Sequence, residues 1–256
     1  MRWAVKTLIV VVLLAILIHD AASGRFSTFR NLFGSCQFDR PLRNAVEKGD
    51  IGKARYLLRR CADVNTKQPD SFTPLLLAIR AHHKKEMAEL LIDWGADLNV
   101  RLKSMTPLHY DLSRPIVCSG KKQYENVIAV AHLLIERGAD INARTVWGET
   151  PVHMAVGAFD ASVAQHLIQE GADVRSKDKC GQTPLHRAAF WGRRGFAEAI
   201  RKLIENGADV NATDDNGRTP LDEARRNADD REVVDLLVKH GAKPGSETAK
   251  RTQHGQ

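Results

Sequence analysis

Apolar residues return at helical spacing along most of this chain, in paired short bursts separated by polar, turn-rich stretches. In one such pair, Leu185, Ala188 and Ala189 share a face, and Ala197, Ile200, Leu203 and Ile204 share the next. That spacing marks amphipathic helices rather than strands. First bursts open on Thr-Pro, at Thr73-Pro74, Thr106-Pro107, Thr150-Pro151, Thr183-Pro184 and Thr219-Pro220. The threonine hydroxyl can accept an orphan amide of the first turn, and proline suits the position behind it, where no N–H is needed. Gly-Ala-Asp closes second bursts at Gly95, Gly138, Gly171 and Gly207, with a decayed form at Gly241-Ala242-Lys243. A glycine there ends a helix in the left-handed conformation at little cost. The stretch that follows, such as Asn211–Arg218 with Asn216-Gly217 at its tip, reads as a turn-rich finger. The predicted unit is two short antiparallel helices and a finger.

The unit recurs. Thr73 to Thr106 and Thr150 to Thr183 each span 33 residues, and a fixed period of that size predicts a stacked array in which no unit buries its apolar face alone. TPLHRAA at 183–189 with KLIENGADVNA at 202–212 resembles an ankyrin repeat. So do TPLHY at 106–110 with LLIERGADINA at 133–143, and TPVHMAV at 150–156 with HLIQEGADV at 166–174. TPLLLAI at 73–79 with LLIDWGADLN at 90–99, and TPLDEAR at 219–225 with VVDLLVKHGA at 233–242, are similar too. LRNAVEKGDIGKARYLLRRCADVN at 42–65 resembles a first repeat without its Thr-Pro opening. The resemblance implies an all-α ankyrin-repeat solenoid over residues 39–244, with about six stacked helix-turn-helix units and short hairpin-like fingers. It also implies a concave surface that binds macromolecules through finger tips and the exposed side of first helices.

The ends differ from the array. Arg2 and Lys6 precede an apolar run to Ile18, then His19-Asp20 and the small residues Ala21-Ala22-Ser23. Residues 1–23 thus read as a secretory signal peptide cut near Gly24, the run being shorter than the ~20 residues that span a bilayer. Residues 24–38 read as a cap on the stack, with Phe26, Phe29 and Phe33 on one helical face. Residues 245–256 read as a disordered polar tail. These features predict a periplasmic or secreted protein, monomeric by expectation. The formal charge of +7 is uneven: 18 Lys/Arg against 10 Asp/Glu from Gly24 to Lys122, then 18 against 20. A basic front half suits anionic lipid, an envelope polymer or an acidic protein; an exported address argues against nucleic acid.

Past a signal peptide, disulfides are permitted. Cys61 stands where other repeats have glycine, and Cys36 is the nearest candidate to bond it, giving Cys36–Cys61 as the disulfide candidate. His109, His153 and His186 belong to the Thr-Pro openings, where a ring nitrogen can bond a neighbouring loop's backbone. His82-His83 with Glu86 lacks a matching second cluster for a metal, and Asn211-Ala212-Thr213 fits a glycosylation sequon. No nucleophile elbow, HExxH helix or phosphate-binding glycine loop occurs. The sequence therefore predicts no catalysis, metal, cofactor or small-molecule substrate.

Departures from the repeat pattern carry the functional expectation. Phe72, Leu102, Met105, Val146 and Trp147 fall at finger tips, and Arg80, Arg114, Phe190 and Trp191 at exposed ends of first helices. Aromatic, Met and Arg residues at solvent positions are the composition of binding hot spots. Trp147 and Trp191 are expected to face the same concave side. Thr106 to Thr150 spans 44 residues, so about 11 are additional, and SRPIVCSGKKQYE at 113–125 is expected to be a loop. The sequence predicts a scaffold that binds another protein, as accessory or inhibitor of an exported partner. The alternatives are a toxin-neutralising immunity protein and a basic-surface binder of anionic lipid or envelope polymer.

Overall fold

A computed structural model describes residues 37–67, 70–80, 85–113, 121–157, 161–191, 197–226 and 231–245, with the side chains of 121–124 excepted. The proposed signal peptide, Cys36, Cys118, His82, His83, Arg114 and most of the capping and tail segments lie outside these residues. The chain divides into two compact units, Met1–Asp97 and Leu98–Gln256.

The described residues form helices and no strand; one isolated bridge joins Leu102 and Met105. In the first unit, α1 is Asp39–Lys48, α2 Ile51–Leu58, α3 Pro74–Arg80 and α4 Lys85–Asp93. α1 packs on α2 and α3 on α4, while α1 stacks on α3 and α2 on α4. Leu42, Leu58, Leu75, Leu76, Met87 and Leu91 fill its core. In the second unit, α5 is Pro107–Leu112, α6 Lys121–Glu136, α7 Pro151–Ala155 and α8 Ala161–Gln169. They are followed by α9, Pro184–Trp191; α10, Ala197–Glu205; α11, Pro220–Arg226; and α12, Arg231–Lys239. First helices stack in the order α5, α7, α9, α11 and second helices in the order α6, α8, α10, α12. Fully buried Ala155, Ala188 and Ala199 keep adjacent helices close, and Leu108, Leu134, Leu167, Leu185 and Leu203 fill the seams.

The 113–125 segment is a correction. Lys121–Glu125 is not loop but the opening of α6, which runs 16 residues where α8 and α10 run 9. Once past Gly120 the segment holds no glycine or proline, so nothing stops a helix from starting early.

Cys61 is left-handed, with φ 75°, as are the glycines at 95, 138, 171, 207 and 241. The Gly138 N–H bonds the Ile135 carbonyl and Ala139 that of Leu134, satisfying the last carbonyls of α6. Four residues after these helix ends, an Asn side chain ties one loop to the next. Asn65 accepts from Asp97 N–H at 2.7 Å, Asn142 from Asp173 at 2.9 Å and Asn211 from Lys243 at 2.7 Å. The Asn211 amide nitrogen also donates to the Gly241 carbonyl, so the sequon asparagine is committed to the fold.

Candidate functional site

The fingers of the second unit are laced by a ladder whose donors stand six residues after Gly95, Gly138 and Gly171. Arg101 donates to the Arg144 carbonyl at 2.9 Å, Arg144 to that of Lys177 at 2.8 Å, and Lys177 to that of Thr213 at 2.8 Å. The tips are joined through backbone as well: Lys179 N–H reaches the Trp147 carbonyl at 2.8 Å, and Asp215 N–H the Cys180 carbonyl at 3.0 Å. The Ser104 hydroxyl accepts from Val146 N–H. Sequence reasoning missed this ladder, although the equal offsets of Arg101, Arg144 and Lys177 from Gly95, Gly138 and Gly171 carried the signal.

On this frame stand Val146, 54% exposed, and Trp147, 68% exposed. Their backbones are pinned on both sides, and the indole projects into solvent. Trp191 is different. It is 46% exposed, but it stands edge-on to Phe190 at 5.3 Å, and its ring lies close enough to Gly157 that a Cβ there would meet it at 3.5 Å. Phe190 is half-buried and lies under the Arg226 guanidinium. Trp191 ends α9, about 10 Å along the helix from Pro184, at 1.5 Å per residue. The two tryptophans are therefore separate features: Trp147 lies at a finger tip, Trp191 at a helix end remote from the fingers.

Leu102 is a correction. It is 6% exposed and part of the core. Gly95 to Thr106 is 11 residues where Gly138 to Thr150 is 12, and the shorter finger closes through the Leu102–Met105 bridge with Leu102 turned inward. Met105 is half-buried beside it. In the first unit Phe72 and Arg80 meet each other, the guanidinium 4.6 Å from the ring centre. Arg80 also lies 3.6 Å from Glu47, which pairs with Arg43, and Arg43 grips Asp70. The bond from Arg43 holds the Asp70 carboxyl down at about 2, below its usual value, against the opposing effect of burial.

The three histidines of the openings are fully buried. Each Nδ1 lies 2.8–2.9 Å from the hydroxyl of its Thr, and each Nε2 donates to the carbonyl of the next finger: Glu149, Gln182 and Arg218 at 3.2, 3.1 and 3.0 Å. Burial lowers all three pKa values, His153 to about 4. In the final opening Asp222 replaces histidine. There the last loop offers a donor, Gly245 N–H, and the carboxylate accepts it along with the Thr219 N–H and hydroxyl. Burial alone would raise the Asp222 pKa; these bonds outweigh it and hold it low. On the second helices, His132 and His166 face each other, Nδ1 to Nδ1 at 2.7 Å. Among the described residues no group of three or more His, Cys, Asp or Glu side chains gathers as a metal site would, and no helix is long and apolar enough to cross a membrane.

Stacked helix pairs joined by laced fingers define a repeat array that offers side chains for contact. The family profile for ankyrin repeats, in three copies, matches residues 17–113, 122–214 and 158–248. The chain belongs to the ankyrin-repeat family, whose repeats are protein-binding scaffolds. It is 28% identical over 160 residues to one ankyrin repeat protein of fowlpox virus and 38% over 82 residues to another, covering 55% and 31% of this chain. It spans only 24% and 14% of those relatives' lengths. An ankyrin repeat domain from Acinetobacter baumannii superposes with a TM-score of 0.68 at 26% identity, over 79% of this chain and 98% of that one. A chain from the complex of a predatory endopeptidase with its immunity protein, from Bdellovibrio bacteriovorus, superposes at 0.63 with 22% identity, over 80% and 98%.

Proposed function

We propose that this chain is an exported, non-catalytic scaffold that binds a partner protein as its accessory or inhibitor. The observation that carries the reading is the Val146–Trp147 tip, 54% and 68% exposed on a finger whose backbone is fixed by its neighbours. A rigid aromatic anchor already in place spends little ordering entropy on binding. Export rests on the basic, apolar and small-residue succession of residues 1–23. The inhibitor branch has an analogue in the Bdellovibrio complex, where an immunity protein accompanies an endopeptidase. The test is affinity capture of the tagged chain from the envelope and secreted fractions of its native cell. One stoichiometric protein partner, lost with Trp147→Ala, is the expected result. Capture unchanged by Trp147→Ala, or no protein partner, would overturn the reading, and an exposed N-terminal Met1 on cytosolic protein would overturn its export.

A further inference from the structure

We infer that the finger tips of the second unit dock an acidic, extended segment of a partner protein, seated with one large apolar side chain on Trp147. This rests on the scaffold reading and gives the partner its chemistry.

Charge is unevenly paired across this unit. On the helices and last finger of this unit, Arg187, Arg201, Lys202, Arg218 and Arg226 each meet a carboxylate at 2.5–3.1 Å. On the fingers around Trp147, Arg101, Lys103, Arg144, Lys177 and Lys179 are all exposed, and none has a carboxylate partner among the described residues. Three of them donate instead to backbone carbonyls, which fixes their positions and leaves their charge uncompensated. Two of the nearby carboxylates are engaged elsewhere. Asp178 accepts the N–H groups of Cys180 and Gln182, and Glu149 pairs with Arg187.

The occupant follows from the shape of this field. Cations flank an apolar centre, so the complement carries acids around a large apolar side chain. The cationic run stops at the next finger, where Asp214 is held by Arg218 and Asp215 is exposed. A uniform polyanion would meet repulsion there and would leave Val146 and Trp147 without a complement. A protein segment can change character at that point.

The test is selection from a random linear peptide display library on the full chain, with Lys103→Glu/Lys179→Glu and Trp147→Ala as comparison proteins. Neither lysine side chain makes a bond among the described residues, and circular dichroism checks that each variant is folded. Heparin, single-stranded DNA and phosphatidylglycerol vesicles are titrated in parallel. The expected result is enrichment of acid-rich peptides with a large apolar residue, weakened about tenfold or more by the double charge reversal and by raised salt, and also by Trp147→Ala. Neutral or basic winners that still need Trp147 overturn the acidic partner while leaving the scaffold reading standing. Winners indifferent to all finger variants, or no winners, overturn the docking surface. A polyanion or vesicle bound through the same lysines, without acidic peptide winners, assigns the surface to that polymer and overturns the inference.

Discussion

Each buried imidazole of the Thr-Pro openings serves two loops at once, and that fixes its charge state. A carbonyl can only accept, so Nε2 of His153 carries the proton toward Gln182, and Nδ1 accepts from the Thr150 N–H and hydroxyl. A second proton on Nδ1 would face those donors. The folded pKa of about 4 lies below the unfolded value of 6.5, so the unfolded chain takes up the proton first. Stability is whole above pH 6.5 and is lost as pH falls toward 4, by on the order of 3 kcal/mol for His153 alone at ~1.4 kcal/mol per pKa unit. Urea midpoints taken between neutral pH and pH 4.5 should fall steadily, and His153→Leu should flatten that dependence while lowering the neutral midpoint. Cys61 carries a cost in its backbone. Its φ of 75° costs about 1–2 kcal/mol for a side chain, a cost that a bond to Cys36 would offset. Cys180 is a free exposed thiol. Peptide mapping without reductant should recover Cys61 joined to Cys36; a Cys61–Cys118 peptide would refute that pairing.

Helices and fingers obey different rules, and glycine substitutions expose the difference. Gly138 and Gly181 are both left-handed, at φ 83° and 73°. A Cβ on Gly138 would meet nothing within 4 Å, whereas one on Gly181 would stand 2.8 Å from Asp215 N and 2.5 Å from its carboxylate. Gly138→Ala should therefore cost about 1 kcal/mol, the backbone term alone. Gly181→Ala should cost at least about twice that, because the two tips must part and forfeit the Asp215–Cys180 bond. Denaturant titration of both variants tests the order. Helix positions were legible in the sequence because their signals are local: Thr-Pro starts them and Gly-Ala-Asp stops them. Finger contents were less so. One missing residue turned Leu102 inward, and the bonds of Arg101, Arg144 and Lys177 join loops more than thirty residues apart, which no local pattern reports.

For the whole molecule, the separation of Trp147 from Trp191 divides stability from binding. Trp147→Ala should leave the melting temperature unchanged and weaken partner binding by about thirtyfold, the equivalent of about 2 kcal/mol for a central aromatic anchor. Trp191→Ala should lower the melting temperature, since it strips the cover from Phe190 and Gly157, and should change binding less. Thermal melts beside a binding titration distinguish them; equal behaviour of the two variants would show that the exposure of Trp147 has no functional meaning. Exposure of Trp147 could be read from sequence by its place at a tip. The anchoring of Trp191 could not, because its neighbours Gly157 and Phe190 come together only through the stacking of α7 on α9.

The finger ladder constrains how such a chain can change. Each rung joins a side chain to the main chain of the following finger, and main chain is the same whatever residue occupies it. Duplication, deletion or exchange of a repeat would therefore preserve the rungs so long as the incoming unit brings its own Arg or Lys six residues after the glycine. The residues at the tips take no part in that bookkeeping. They are at liberty to drift, and a lineage could revise what the protein recognises without renegotiating how it stands.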